Sequence, residues 1–254
     1  MHRHLLLMIS LLALNGAANA FASATPAVDP PKGLSTYEME GKIGPYVVGM
    51  NVLVRDHTQF VSGHYFYGSK LSDIPLKGHI EGDAVTLQEP GGGVFHLHLV
   101  TNEASKSRPL NFYISTGLEG SWSQGGKTLP VRLGFTTGYD GPSPTRWYSD
   151  VTHESDSAFE SRVRSFLKAV NSGDKASAAN LVSYPLRVNA RKPLEIRTKA
   201  HLLANWDRIF TPALKLQLQQ GIAHEMFVRN GLAMVANGAV WFDAKGAAVI
   251  NQTR

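Results

Sequence analysis

His96 and His98 stand two apart in Val94-Phe95-His96-Leu97-His98-Leu99-Val100, so on a strand both imidazoles project to one face, a spacing that serves a metal ion. Two donors do not close a site; a third would have to come from His57, His64 or His79 through folding. The plainer reading is a pair of histidines on a barrel wall. A second constellation, Tyr184, Asp207, His224 and Trp241, lies in the C-terminal half. If it converged in a pocket, a buried Asp207 would have the raised pKa of a general base, with Tyr184 and His224 as further catalytic candidates. Asp207 directly follows Trp206, however, which suits the solvent side of a helix equally well. A third group is basic: Arg187, Arg191, Lys192, Arg197 and Lys199 fall within thirteen residues, opposed only by Glu195. Such a cluster grips carboxylates or phosphates, or serves only as a solvated face.

Several chemistries find no motif. Gly-x-Ser-x-Gly does not occur, and Gly120-Ser121-Trp122 lacks the strand-to-helix context of a nucleophile elbow. Gly91-Gly92-Gly93 is followed by no Gly-Lys-Ser/Thr and reads as a hairpin turn. The chain has no cysteine, which removes disulfides, thiolate metal sites and lipoprotein attachment. No cofactor is expected.

The elements that must position these residues divide around one segment. From residue 157 the spacing of Phe159, Val163, Phe166, Leu167 and Val170 predicts an amphipathic helix, opened by a capping box of Ser157 and Glu160. Gly173 is placed to end it, Asp174 to cap a second helix, and Pro185 to stop that one. Before this segment the chain reads as short strands at residues 46–54, 60–67, 74–80, 84–88, 94–100, 110–114, 118–122 and 129–135, with Gly-rich turns between. Eight such strands argue for an antiparallel barrel or sandwich. Residues 137–156, with Gly138, Gly141, Pro142 and Pro144, read as a linker that Trp147 and Tyr148 pin to one domain.

Beyond it come a strand ending near Asn189, a second at 194–196, a helix capped by Thr198 and another opened by Thr211-Pro212. Strands are then expected at 222–228, 232–236, 239–242 and 247–251, with Asn230-Gly231 as a turn. The fold class is α+β overall, an N-terminal all-β antiparallel barrel at 41–136 and a C-terminal α+β unit at 157–254 with helices packed on a curved antiparallel sheet.

Gly63-His64-Tyr65-Phe66-Tyr67, Ile74-x-Leu76-x-Gly78, Gly120-Ser121-Trp122 and Leu129-Pro130-Val131 resemble small lipocalin-like barrels of exported bacterial proteins. Tyr184-Pro185-Leu186, with Gly238-x-Val240-Trp241-Phe242 late in the sheet, resembles the nuclear-transport-factor-2-like cone fold. The first resemblance implies a fold only. The second implies a cone that hosts isomerases, dehydratases and non-catalytic modules alike.

The first residues Met1-His2-Arg3-His4, an apolar run at 5–14 and Ala18-Asn19-Ala20 have the form of a secretory signal peptide over 1–20, with an alternative cut after residue 24 and an extended leader over 21–40. A periplasmic or secreted protein is expected, for which nucleic acid is no partner and no transmembrane anchor is foreseen. Residues 21–150 hold ten Lys and Arg against twelve Asp and Glu, whereas residues 151–254 hold fourteen against eight. The expectation is therefore an exported cell-envelope binding or accessory protein without catalytic activity. It would engage an anionic protein or envelope polymer through Arg187, Arg191, Lys192, Arg197 and Trp241. The alternative is a small-molecule isomerase or hydrolase acting in the C-terminal cone.

Overall fold

The computed structural model describes residues 32–102 and 109–252. The expected signal peptide at 1–20 and residues 21–31 of the expected leader lie outside the described residues.

Eight strands close into an antiparallel barrel in sequence order: β1 (Leu34–Ile43), β2 (Tyr46–Arg55), β3 (Gln59–Tyr67), β4 (Ile74–Glu81), β5 (Ala84–Gln88), β6 (Val94–Val100), β7 (Gly117–Gln124) and β8 (Lys127–Asp140). Each pairs with its neighbour, and β1 pairs with β8 to complete the wall. The interior is filled by alternate side chains, among them Met39, Val48, Met50, Tyr65, Leu87, Phe95, Leu118 and Trp122. Each such side chain contributes about 1.5–3 kcal/mol relative to exposure.

Three strand expectations change in the barrel. Residues 34–40, expected as leader, form most of β1. Their alternation is hidden because Glu38 and Glu40, poor strand formers, occupy the outward positions while Tyr37 and Met39 enter the core. Gly41 is required here, since a Cβ would collide with the Arg132 carbonyl of β8. Residues 110–114, expected as a strand, form a turn: the Asn111 carboxamide accepts from the Tyr113 and Ile114 N–H groups at 3.0 and 3.2 Å, and Phe112 packs against Tyr37 in the barrel core. β8 also runs to Asp140, into the expected linker.

The remainder comprises α1 (Asp156–Ser172), α2 (Lys175–Asn180), β9 (Val182–Asn189), β10 (Leu194–Ile196), α3 (Lys199–Ala204), α4 (Trp206–Ile209), α5 (Pro212–Leu218), β11 (Val228–Arg229), β12 (Leu232–Val235), β13 (Val240–Asp243) and β14 (Gly246–Asn251). The six strands form one sheet in the order β10-β9-β14-β13-β12-β11, antiparallel throughout except for the parallel β9–β14 pair. The expected caps at Asp174, Thr198 and Thr211 each accept a backbone N–H, and Gly173 closes α1 at φ 75°. At the start of α1 the cap is Ser155, which accepts from Ala158 N–H, rather than Ser157. Glu160 is thereby released from a capping role.

One apolar core joins the helices to the inner sheet face through Phe159, Phe166, Leu186, Trp206, Phe210, Val240 and Phe242. Tyr148 belongs to this core, so the expected linker is anchored here, with the Trp147 and Tyr148 N–H groups donating to Asp156. Residues 222–227, expected to begin a strand, are irregular, and only Val228–Arg229 pairs. Their backbone groups go to side chains instead: Met226 N–H donates to the Tyr148 hydroxyl and Met226 carbonyl accepts from the Trp147 indole. No helix among the described residues is long and apolar enough to cross a membrane.

Candidate functional site at the seam

The outer face of the barrel carries a polar row. Glu38 on β1 stands opposite Asn51 on β2, and Asn51 opposite His64 on β3. Next to His64 on the same strand, Phe66 also points outward, lying over Gly49, where any Cβ would meet its ring. Phe66 is nevertheless only 4% exposed and belongs to neither core. What covers it is the irregular segment at 222–227: the His224 ring meets Phe66 edge-on at 4.5 Å, and Ile222 lies 3.4 Å from where a Cβ on Gly68 would stand. Glu225, held at φ 47°, follows.

Six titratable groups meet at this seam. His224 Nδ1 lies 2.9 Å from Glu160 on α1, and its Nε2 lies 3.0 Å from Asp73 in the β3–β4 loop. With a carboxylate at each nitrogen the ring donates from both. Burial pulls its pKa down, but Asp73 and Glu160 outweigh burial and push it up to about 10. The same His224 hydrogen bond holds the Asp73 carboxyl below the usual range. Glu160 also accepts from the Tyr148 hydroxyl at 2.9 Å and the Glu225 N–H at 3.3 Å. Burial and the Glu160 charge together raise Tyr148 far above its ordinary value.

His64 Nε2 stands 2.8 Å from Glu225 Oε2 and 3.8 Å from Asp73 Oδ1. Burial lowers the pKa of His64, yet Glu225 overcomes it and the net shift is upward. Asp73, 50% exposed, faces solvent, whereas Glu225 is 14% exposed. A groove of about 450 Å³ opens beside them, lined by Asn51, Ser62, His64, Asp73, Pro142 and Ser143 among others. A second groove of about 460 Å³ is bounded by Glu38, Tyr139, Trp147 and Phe227. Burial, with Glu225 and Glu40 nearby, pushes Glu38 there up to about 8.

The residues singled out from sequence are dispersed. His96 and His98 do share the exposed outer face of β6, but no third donor among the described residues closes with them into a ligand set. Asp207 is 86% exposed and pairs with Lys175 at 3.6 Å, Tyr184 donates to the Ala179 carbonyl, and His224 sits at the seam. These three catalytic candidates thus take separate partners and do not form one site, because the cone interior they would line is occupied by Phe166, Phe210 and Phe242.

The basic residues are partly brought together. Arg187 and Trp241 lie on the outer sheet face with Val249 between them. Arg191 and Lys192, in the β9–β10 turn, join Arg208 of α4 and Gln252 around a depression of about 440 Å³ with no carboxylate among the described residues that line it. Gln252 is fixed there by donating to the Arg208 and Ile209 carbonyls. Arg197 is engaged by Glu195 at 2.7 Å.

Sequence reasoning passed over Asp73, Glu160, Glu225 and Arg208. One signal was present: the alternation through Gly63-His64-Tyr65-Phe66-Tyr67 puts either Tyr65 or Phe66 outside, and a large outward aromatic asks for a cover. No family model, curated protein or solved structure matches the chain.

Proposed function

We propose that this chain is an exported, non-catalytic binding or accessory protein of the cell envelope that engages an anionic partner through the basic end of its C-terminal unit. The observation that carries this reading is the depression lined by Arg191, Lys192, Arg208 and Gln252, three cations and an amide with no carboxylate among them. Guanidinium forks and an ammonium converging on one recess suit phosphate or carboxylate oxygens. Arg187 extends the positive surface along the sheet and Trp241 supplies a half-buried aromatic on the same face. The filled interiors of barrel and cone favour surface recognition over chemistry in an enclosed pocket. Export rests on the N-terminal sequence pattern. Within the same reading the barrel is lipocalin-like and the C-terminal unit nuclear-transport-factor-2-like, supported by the sequential closed order of β1 to β8 and by helices preceding a six-stranded sheet.

The test is equilibrium binding of the mature chain to immobilised long-chain polyphosphate and to poly-glutamate at physiological salt. Wild type should bind at least one of them, and Arg191→Gln/Lys192→Gln/Arg208→Gln should weaken that binding at least tenfold with an unchanged melting temperature. Absence of binding to both, or equal binding by the variant, contradicts the proposal.

A further inference from the structure

Three donors of metal-ligand type meet at the seam from two distant stretches of chain: the imidazole of His64 on β3 and a carboxylate of Asp73 in the adjoining β3–β4 loop, and a carboxylate of Glu225 ahead of β11. Their ligand atoms all lie within 4.8 Å of one another. We propose that His64 Nε2, Asp73 and Glu225 form a binding site for a divalent first-row transition-metal ion that clamps the barrel to the C-terminal unit. This proposal is independent of the anionic-partner reading and shares no residue with it.

Geometry is the first support. An ion held about 2.0–2.2 Å from imidazole nitrogen and carboxylate oxygen places its donors roughly 3–4 Å apart. The observed separations from His64 Nε2, 2.8 Å to Glu225 and 3.8 Å to Asp73, bracket that spacing.

The second support is that these donors are held from behind. Asp73 accepts from His224 Nε2 at 3.0 Å, and His224 is itself locked by Glu160 at its other nitrogen. Glu225 is fixed through its own N–H to Glu160, and its carboxylate lies 3.5 Å from the Asn51 amide. Partners that orient ligands in this way typically account for ten- to hundredfold in metal affinity. Three protein donors leave further coordination positions open, and these face the groove beside Asn51, Ser62 and Ser143, where water or an exchangeable ligand completes the shell.

Donor chemistry sets the class of ion. One imidazole with two carboxylates and no thiolate suits Zn²⁺, Mn²⁺ or Fe²⁺, whereas Mg²⁺ and Ca²⁺ take oxygen-only sets. Because the donors come from both halves of the molecule, an ion bound here stabilises the docked arrangement by mass action.

Tag-free mature chain, stripped with a chelator and dialysed, is titrated calorimetrically with ZnCl₂ and MgCl₂ while thermal melting is followed in parallel. Wild type should bind one Zn²⁺ per chain, more tightly than Mg²⁺, with a rise in melting temperature. His64→Gln and the milder Asp73→Asn should each lose at least tenfold in Zn²⁺ affinity and most of that rise. His96→Ala/His98→Ala should retain both. The proposal is overturned if wild type takes up no Zn²⁺ at millimolar concentration, if Mg²⁺ binds equally well, if Asp73→Asn and His64→Gln bind like wild type, or if the His96/His98 variant loses the ion.

Discussion

Phe66 and His224 meet edge-on at 4.5 Å across 158 residues of chain, an aromatic from the outside of the barrel against an imidazole from the irregular segment ahead of β11. Neither residue lies in either apolar core, so this contact and the ion pairs around it hold the two halves together. Phe66→Ala should therefore destabilise the protein by about 3 kcal/mol. In urea it should also separate the unfolding of the two halves into distinct transitions. A variant with wild-type midpoint and a single transition would show that the seam adds nothing to stability.

Glu160 is the hub of that seam. It is buried on α1 and receives the Tyr148 hydroxyl, the His224 imidazole and the Glu225 N–H. Glu160→Gln keeps the shape while removing the charge opposite His224 and turning one acceptor into a donor. A loss of about 1–3 kcal/mol is expected: His224 keeps Asp73 at Nε2, but its Nδ1 proton loses a charged acceptor in a buried site. Chemical denaturation at neutral pH measures it, and a change under about 0.5 kcal/mol would place Glu160 outside the load path of the fold.

The fold was legible where pattern is local, and the seam was not. Phe159 to Val170 repeat at helical spacing, and Asp174, Thr198 and Thr211 announce helix starts that the structure contains. Strand β1 escaped because its outward Glu38 and Glu40 suppress the strand signal, and its place is fixed by closure against β8, a constraint between distant segments. The spacing of Glu160 to Ser157 suggests a capping box, but Ser155 caps the helix, and Glu160 turns to the seam, where it meets His224. The cluster joins positions 64, 73, 160, 224 and 225, and no spacing rule spans such separations. The recess is a mixed case: Arg191 and Lys192 stand together in sequence, while Arg208 is brought to them by α4.

The pH profile should run downhill from mild acid. Burial raises the Glu40 carboxyl from 4.5 to about 7, and burial with the Glu225 and Glu40 charges raises Glu38 to about 8. A carboxyl with a raised pKa holds its proton more tightly in the folded chain, so between these values the native state binds more protons than the unfolded one and unfolding free energy falls as pH rises. Their favourable contribution is complete below about pH 4.5 and lost by about pH 8, on the order of 2 kcal/mol per group after allowing for water access. In chelator-treated protein the urea midpoint should decline from about pH 5 to about pH 8, and Glu40→Gln should flatten the decline. A midpoint that rises over this interval would contradict the account.

Two glycines should respond differently to alanine. Gly173 ends α1 at φ 75° with open space where a Cβ would go, so Gly173→Ala meets only backbone strain and should cost about 1 kcal/mol. Gly41 lies against the Arg132 carbonyl of β8, and there a Cβ must displace backbone. Gly41→Ala should lower stability by about 3 kcal/mol or more, since the β1–β8 pairing that closes the barrel has to open. Thermal melts of the two variants give the comparison, and equal losses would mean that β1 and β8 do not approach as described.

The most direct test of surface recognition is the association rate of the protein with an anionic polymer, measured as ionic strength rises. Attraction steered by Arg191, Lys192 and Arg208 is screened over about 8 Å at physiological salt. The wild-type rate should therefore fall steeply between about 50 and 500 mM salt, while Arg191→Gln/Lys192→Gln/Arg208→Gln should start lower and show a much shallower dependence. Identical rates and identical salt dependence in the two proteins would contradict the account, leaving the recess a solvated surface.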